Sequence, residues 1–291
     1  MFVVFEGIDY CGKSTIMKLV AEKLRGQGYS VVTTREPGGS KLGEELRNVI
    51  LTSDKGSIDS VSEALLFISA RRQHLVEKII PALCQDNIVL CDRYTPSSLV
   101  YQGLVGGVEN TYEMHKLAIG DWFFPELIIH VDSDKSDIIS RVVERGVENR
   151  FDEDIATKVD SMRSKYDFAL KTFNGVVKFK NENGYLSDVV NSIAKTILSR
   201  YNSKNVYLNK YELNLSGGKS YYVEDCSRRV KEVNGFYFKA DFKTFGYCDL
   251  YLTDIENGKS TYICGICDKK VFDSRSEAKN LLKDIYNSDI K

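Results

Sequence analysis

The stretch Gly7-Ile8-Asp9-Tyr10-Cys11-Gly12-Lys13-Ser14 fits the pattern G-x-x-x-x-G-K-[ST] of a phosphate-binding loop. An apolar segment, Met1–Phe5, precedes it and predicts a buried strand, and apolar residues at helical spacing follow it. In such a strand–loop–helix unit, backbone N–H groups and the helix dipole attract phosphate oxygens. A glycine-rich turn without a ligand is the alternative, but the flanking strand and helix argue against it. We expect residues 7–14 and Thr15 to bind a nucleoside triphosphate, with Lys13 as a mobile positive charge and the Ser14 hydroxyl on Mg²⁺.

The composition is that of an ordinary globular protein. Of the 291 residues, 43% are hydrophobic and 28% charged, and the formal net charge is −1. Such a balance offers no chain-wide basic field for nucleic acid or an anionic membrane, so we expect neither as a partner. No apolar run approaches the roughly 20 residues needed to cross a bilayer. Seven cysteines, an odd number, indicate a reducing compartment, and we expect a cytoplasmic protein.

Strand and helix patterns alternate through the first two hundred residues. Short apolar runs predict five strands, at Phe2–Phe5, Val31–Thr34, Ile88–Cys91, Leu127–Val131 and Val176–Phe179. Amphipathic patterns predict helices at 13–27, 41–51, 59–85, 97–103 with 110–120, 135–144, 155–173 and 186–201. This alternation predicts an α/β fold in which a parallel five-stranded sheet carries helices on both faces. Ligands then bind at the carboxyl ends of the strands, where Asp9, Arg35, Asp92 and Asp132 stand.

The character of the chain changes near Asn202. All four prolines precede this point, and short aromatic runs separated by Gly-containing turns fill 206–263. These runs predict antiparallel hairpins, and 274–286 predicts an amphipathic helix. We therefore divide the chain into a phosphate-loop domain at 1–204 and a small aromatic-rich α+β module of unassigned role at 205–291.

Cys264 and Cys267 have the spacing of half a zinc site. A full site needs two more ligands, and only Cys226 and Cys248 remain in the tail, without forming a second close pair. Zinc at Cys264 and Cys267 therefore stays an alternative that we do not favour.

Four further stretches follow the loop in a fixed order: Thr34-Arg35-Glu36-Pro37-Gly38-Gly39, Leu66-Phe67 with Arg71, Asp92-Arg93-Tyr94, and Tyr101-Gln102-Gly103. With the loop in front of them, the chain resembles the thymidylate kinase family over about residues 1–202. The resemblance implies transfer of the γ-phosphoryl group of ATP to dTMP, with Mg²⁺ as cofactor, in a homodimer.

Two arginines are expected at the mouth of the sheet. Arg35 and Arg93 follow the second and third strands, and a guanidinium suits bidentate contact with a phosphate. By resemblance both hold the acceptor phosphate, with Glu36 and Pro37 beside Arg35, whereas surface ion pairing is the alternative. The resemblance also places Asp9 near the acceptor phosphate and the sugar 3′-hydroxyl. Asp92, after its strand, is expected to hold Mg²⁺ through water.

The base-recognition residues come from the resemblance as well. It implies that Phe67 stacks on thymine, that Arg71 bonds the exocyclic oxygen of the base, and that Tyr101 packs beside the deoxyribose. Phe67 and Arg71 share a helix face, although core packing is an alternative for the phenylalanine. The remaining expected polar contacts to the base are Ser97, Ser98 and Gln102.

Tyr10 is the main departure from the family pattern. Some members carry an arginine at this position of the loop, and others supply it from a flexible lid. Arg141, Arg145 and Arg150 stand where the lid is expected, and we assign the charge for the transferring phosphoryl group to Arg145 first and Arg150 second. The alternative is that these cations only offset a helix dipole. The predicted catalytic set is therefore Lys13, Asp9, Arg93, Arg145 and Arg150.

Two other functions remain open at this stage. The same reaction on another deoxypyrimidine monophosphate, such as a 5-substituted dUMP, would use the same residues. A catalytically silent nucleotide-binding regulatory protein would keep the site without turnover. The retained Lys13, Asp92 and Arg93 argue against the second of these.

Overall fold

A computed structural model represents the protein. The structure describes residues 1–54, 56–85, 87–119, 125–146, 151, 155–182 and 184–207. Beyond these it describes the backbone of five strands between 210 and 266, and side chains only up to residue 202.

The five predicted strands are confirmed, and all of them pair in parallel. They are β1 (Phe2–Glu6), β2 (Val31–Arg35), β3 (Ile88–Asp92), β4 (Leu127–Asp132) and β5 (Val176–Lys180), in the order β2-β3-β1-β4-β5. The three central strands are almost entirely buried, whereas β2 and β5 at the edges are partly exposed. This is the expected pattern for a sheet covered on both faces.

The helices follow the predicted alternation. They are α1 (Lys13–Gly26), α2 (Lys41–Thr52), α3 (Ser60–His74), α4 (Ile80–Cys84), α5 (Thr95–Ser98), α6 (Thr111–Ile119), α7 (Lys135–Arg145), α8 (Ile155–Ala169) and α9 (Leu186–Tyr207). The helix predicted at 59–85 is interrupted, because Leu75–Ile79 between α3 and α4 is π-helical. A second π-helical segment, Leu99–Val105, extends α5, and a 3₁₀ turn, Leu170–Thr172, extends α8. The helix predicted at 186–201 runs six residues past its expected end.

The register brings the carboxyl ends of β1, β2 and β3 to one edge of the sheet. Phe5 lies opposite Asp92, and Asp92 lies opposite Arg35 on the other side. The chain leaves β1 at the centre of this edge and enters the loop before α1. Ligands of open α/β sheets bind at such a place, and the candidate site lies here.

The chain divides into two compact units, Met1–Leu198 and Ser199–Lys291. In the second unit, β6 (Lys210–Leu215) pairs antiparallel with β7 (Lys219–Glu224). A separate antiparallel sheet contains β8 (Phe236–Phe242), β9 (Cys248–Asp254) and β10 (Ser260–Ile266). The predicted helix at 274–286 and Cys267 lie outside the described residues, as does the side chain of Cys264. Within the described residues, no helix has the length and hydropathy of a transmembrane span.

Candidate active site

A cavity of about 270 Å³ opens at the carboxyl edge of the sheet, and most of the predicted site residues line it. Those from the loop and the strand ends are Asp9, Tyr10, Gly12, Lys13, Ser14, Thr15, Arg35, Glu36, Pro37, Asp92 and Arg93. Those from helical segments are Phe67, Arg71, Ser97, Ser98, Tyr101, Gln102 and Arg145. Three other predicted residues, Gly7, Ile8 and Cys11, lie in the loop but not on the cavity wall.

The loop conformation depends on two glycines. Gly7 has φ +144°, and a Cβ there would lie 2.1 Å from the carbonyl oxygen of Val131. Gly12 has φ +93°, and a Cβ there would lie 2.4 Å from Asn181 Nδ2. Both positions therefore exclude a side chain by backbone conformation and by space. Lys13 lies across the loop, where its Nζ donates a 3.0 Å hydrogen bond to the carbonyl oxygen of Ile8.

Ser14 and Asp92 are brought together although 78 residues separate them. Ser14 Oγ donates to Asp92 Oδ2 at 2.5 Å, beside the N-terminus of α1. A hydroxyl and a carboxylate oxygen next to a phosphate-binding loop are the hard donors that Mg²⁺ takes, usually with several waters. The two residues therefore fit the predicted cation site.

Asp9 and Arg93 form an ion pair at the centre of the cavity wall. Arg93 has φ +69°, in the left-handed region, and its guanidinium lies 5.2 Å from the centre of the Tyr101 ring. The Tyr101 hydroxyl donates to Asp9 Oδ2 at 2.7 Å. Burial alone would raise the pKa of Asp9, but the charges of Arg93 and Lys13 outweigh it and lower the pKa to about 2.

Arg71 lines the cavity and is buried in a hydrogen-bonded cluster. Its Nε donates to Glu36 Oε2 at 2.6 Å, and its Nη1 donates to Ser98 Oγ at 3.0 Å and reaches the ring nitrogens of His115. Burial and the charge of Arg71 lower the pKa of His115 to about 2, so this ring is neutral and can accept. Glu36 also contacts His74 Nδ1 at 3.0 Å. Arg71 is thus fixed in one orientation before any base is bound.

Glu36, His74 and Cys91 place three potential metal ligands within 4.8 Å of one another. Glu36 is already paired with Arg71, and His74 Nε2 lies 2.7 Å from Thr34 Oγ1. The positive charge of the adjacent Arg71 guanidinium would repel a metal cation bound there. We therefore interpret the cluster as one that positions Arg71.

Part of the cavity wall is aromatic. Phe67 and Tyr101 each meet Phe151 edge to face, with ring centres 6.2 Å apart in both pairs. Gln102 is buried, and its side-chain amide donates to Glu63 Oε1 at 3.1 Å. Phe67, predicted as a stacking residue, is half-buried and lines the cavity.

Arg35 and Arg47 lie together at the open side of the cavity. Arg35 is 55% exposed and pairs with Glu44 at 2.9 Å, whereas Arg47 donates to the carbonyl oxygen of Pro37 at 2.9 Å. Partial burial and the charge of Arg35 lower the pKa of Arg47. The sequence left two roles open for Arg35, surface ion pairing and phosphate binding. The structure shows the ion pair and also places Arg35 on the cavity wall.

Tyr10 joins the loop to the end of α7. The Tyr10 hydroxyl donates to the carbonyl oxygen of Gly146 at 2.6 Å, and Arg141 Nη1 donates to the Tyr10 carbonyl oxygen at 3.0 Å. Arg145, the last residue of α7, lines the cavity. Arg150, the second predicted lid arginine, lies outside the described residues.

One residue expected at the ligand edge does not line the cavity. Asp132 is the last residue of β4, and its carboxylate accepts from Arg163 Nε at 3.0 Å. β4 lies on the other side of β1 from β3 and β2, the two strands whose last residues line the cavity.

Several residues that the sequence interpretation missed support the site. They are Glu6, Arg47, Phe151, Tyr166 and Asn181. Asn181 follows β5 and donates from Nδ2 to the carbonyl oxygen of Cys11 at 2.9 Å. Glu6 ends a buried apolar strand, and a carboxylate at such a position is a signal that could have been used.

The comparisons with known proteins agree with this geometry. Residues 5–193 match the family model described as "Thymidylate kinase". The chain is 37% identical to a thymidylate kinase of Shouchella clausii over 68% of its own length and 94% of the relative, and 38% identical to one of Geobacillus thermodenitrificans over 68% and 90%. A crystal structure of thymidylate kinase from Ehrlichia chaffeensis is 31% identical with a TM-score of 0.52, over 68% of this chain and 98% of that one. The chain therefore belongs to the thymidylate kinase family.

Proposed function

We propose that the protein is a dTMP kinase that transfers the γ-phosphoryl group of ATP to the phosphate of dTMP. The observation that carries the proposal is a single cavity whose wall joins the phosphate-binding loop to Arg93, Arg71, Phe67 and Tyr101. A phosphoryl transfer between two nucleotides needs both to approach one centre, and this cavity offers a site for each.

The donor half of the site is the loop. Backbone N–H groups of residues 7–14, the N-terminus of α1 and the Lys13 ammonium neutralise the triphosphate. Ser14 and Asp92 would hold Mg²⁺, which neutralises charge on the phosphates. Lys13 exchanges its present acceptor, the Ile8 carbonyl oxygen, for phosphate oxygens when the nucleotide binds.

The acceptor half begins at Arg93. Its guanidinium is paired with Asp9, and the acceptor phosphate binds to the same guanidinium. Arg35, which also lines the cavity, provides a second contact for this phosphate. The phosphate of dTMP is largely ionised near neutral pH, so no side chain has to remove a proton before it attacks. Asp9, whose pKa is about 2, therefore acts by orienting Arg93 and Tyr101.

Base recognition combines aromatic and polar contacts. Phe67 and Tyr101 offer faces and edges for a pyrimidine and a deoxyribose, while Arg71 is held for the exocyclic oxygen of the base. Ser97, Ser98 and Gln102 complete this wall. Arg145 supplies charge to the transferring phosphoryl group, with Arg150 as the second candidate.

Two further properties complete the proposal. We propose a homodimer, because α2 and α3 pack together and carry the exposed aliphatic residues Leu42, Val49, Val61 and Leu65. Sedimentation velocity is expected to give a dimer. We also propose a cytoplasmic enzyme, since Cys11 and Cys91 are free buried thiols.

The test is a steady-state assay with ATP, Mg²⁺ and a panel of acceptors: dTMP, dUMP, 5-hydroxymethyl-dUMP and dCMP. We expect the highest kcat/KM with dTMP, and a higher value with another acceptor would contradict the proposed substrate. Lys13→Ala should lower kcat about 10²- to 10³-fold, because a preorganised positive charge on the phosphates is lost. Lys18→Ala, on the exposed side of α1, is the matched control and should retain wild-type kinetics. A wild-type protein that binds both nucleotides without turnover would instead indicate the regulatory role.

A further inference from the structure

Glu6 is a fully buried carboxylate that the reaction described above does not use. It is the last residue of β1, directly before the loop, and its surface exposure is 0%. Buried carboxylates are costly unless their oxygens are satisfied by hydrogen bonds or charges. Every contact that Glu6 makes is therefore informative about why the residue is there.

The two carboxylate oxygens of Glu6 have different partners. Oε1 accepts from the backbone N–H groups of Tyr94 and Ser97, at 2.9 and 3.2 Å. Oε2 accepts from Ser97 Oγ at 2.7 Å and from the Tyr166 hydroxyl at 3.4 Å. One oxygen thus anchors the start of α5, and the other orients two hydroxyl groups.

Those two hydroxyls are also acceptors for Arg93. Its Nη1 donates to Ser97 Oγ at 2.9 Å and to the Tyr166 hydroxyl at 2.8 Å. A guanidinium only donates, so each hydroxyl must turn a lone pair towards Arg93 and its hydrogen elsewhere. Ser97 Oγ gives its hydrogen to Glu6 Oε2 at 2.7 Å, whereas the Tyr166 hydrogen has two acceptors in reach, Glu6 Oε2 at 3.4 Å and Ser97 Oγ at 3.1 Å. Glu6 therefore fixes the Ser97 hydroxyl directly, and the Tyr166 hydroxyl either directly or through Ser97.

We propose that Glu6 is a positioning residue which, through Ser97 and Tyr166, holds the Arg93 guanidinium ready for the acceptor phosphate. The inference rests on the proposed function, because it assumes that Arg93 binds the phosphate of dTMP. Asp9 holds the other terminal nitrogen of Arg93 but faces the cavity, where an arriving phosphate competes with it. The contacts on the Glu6 side are buried and persist when the phosphate arrives.

Glu6→Gln is a sharp test because the orientation of the new amide is determined in advance. The amide oxygen must face the N–H groups of Tyr94 and Ser97, which leaves the amide nitrogen facing the two hydroxyls. The nitrogen donates where Oε2 accepted, so the two hydroxyls lose their carboxylate acceptor. One can still donate to the other at 3.1 Å, which leaves at least one hydrogen turned towards Arg93. The side-chain volume is nearly unchanged, but the donor–acceptor polarity of the network is reversed and the negative charge that Glu6 directs at Arg93 is removed.

The readout separates phosphate binding from binding of the rest of the nucleotide. Calorimetry measures the affinity of each variant for dTMP and for thymidine, which lacks the phosphate. The ratio of the dTMP affinity to the thymidine affinity then reports the contribution of the phosphate. We expect Glu6→Gln to weaken dTMP about tenfold and to leave thymidine unchanged, as for loss of a hydrogen-bonded charge contact. Tyr166→Phe, which removes one hydroxyl, should weaken dTMP about threefold and provides a second test if Glu6→Gln does not fold.

Two controls make the result specific. Tyr94→Phe deletes a hydroxyl that is equally buried but has no hydrogen-bond partner among the described residues, so it should leave the ratio unchanged. In an Arg93→Ala background, Glu6→Gln should cause no further loss of dTMP affinity, because the residue through which it acts is absent.

Two outcomes would overturn the inference. One is an unchanged dTMP-to-thymidine affinity ratio in Glu6→Gln and Tyr166→Phe, whether neither ligand or both ligands bind more weakly; the other is losses that add in the double variant. A wild-type protein that binds dTMP no better than thymidine would overturn it together with the role of Arg93. A wild-type protein that prefers another monophosphate would contradict only the proposed substrate, and the same ratio is then measured with that nucleotide and its nucleoside.

Discussion

Asp9 shows how a carboxylate can stand inside a loop that binds anions. Its two oxygens accept from Arg93 and from the Tyr101 hydroxyl, and Lys13 adds a further positive charge nearby. These groups keep Asp9 ionised, with a pKa of about 2, despite its burial. In the proposed function, Asp9 offsets the cost of a negative charge near phosphates by orienting Arg93 and Tyr101, the cation and the ring assigned to the acceptor.

Arg145 allows a prediction at the level of a single side chain. Replacing it by Ala should lower kcat about 10²-fold while the affinity for dTMP changes less than threefold, because its charge acts on the transferring phosphoryl group. Steady-state kinetics and calorimetry measure the two quantities. Arg72→Ala, an exposed arginine of α3, is the control. A normal kcat in Arg145→Ala would move the role to Arg150.

At the level of elements, α8 packs on the sheet through an aromatic contact that supports the site. The Tyr166 ring stacks on His130 of β4, with centres 5.5 Å apart, and the surrounding core includes Ile128, Val159 and Met162. This contact places the Tyr166 hydroxyl beside Arg93. Burial and the charge of Lys178 outweigh the nearby aspartates and lower the pKa of His130 to about 4.

The His130 shift predicts acid sensitivity of the fold. Because the pKa is lower in the folded state than the ordinary 6.5, the unfolded chain binds more protons as the pH falls. The contribution of His130 to the free energy of unfolding is fully present above pH 6.5 and is lost progressively as the pH falls towards 4. At pH 5 the free energy of unfolding should be about 2 kcal/mol lower because of this residue.

Urea unfolding at pH 7.5 and pH 5 measures this difference. His130→Phe keeps the ring contact and removes the titration, so its loss between the two pH values should be about 2 kcal/mol smaller than that of the wild type. His115, whose pKa is also lowered, should leave a residual loss in the same direction. An equal loss in both proteins would contradict the assignment to His130.

At the level of the whole molecule, the cavity belongs to one of the two compact units. Every residue that lines it lies between Asp9 and Phe151, within Met1–Leu198. The family match likewise ends at residue 193. The second unit therefore contributes no residue to the cavity wall among the described residues.

Truncation after Tyr207, at the end of α9, tests this separation. We expect kcat and the KM values for ATP and dTMP to remain within twofold of those of the full chain, since the site is retained. Circular dichroism confirms that the shortened chain is folded, and sedimentation compares its oligomeric state. A folded truncated enzyme with a much lower kcat would show that the tail takes part in the reaction.

Local patterns were enough to predict the loop, the five strands and most helices. A phosphate-binding loop requires glycines, a lysine and a hydroxyl at fixed spacing in one continuous segment, and alternating apolar runs reflect burial of each element separately. The π-helical segment Leu75–Ile79 and the extension of α9 to Tyr207 were missed, because local patterns locate the interior of a helix better than its irregular turns and its ends.

Partnerships between distant residues could not be deduced in this way. Glu36 meets Arg71 across 35 positions and Glu6 meets Ser97 across 91, and neither pair has a local pattern. These contacts exist because parallel strands bring residues far apart in sequence to one edge of the sheet. Local sequence patterns thus determined that this is a phosphate-binding α/β protein. The packing of β1, β3, α5 and α8 set which carboxylate orients which arginine, because buried charges must find partners wherever the fold places them.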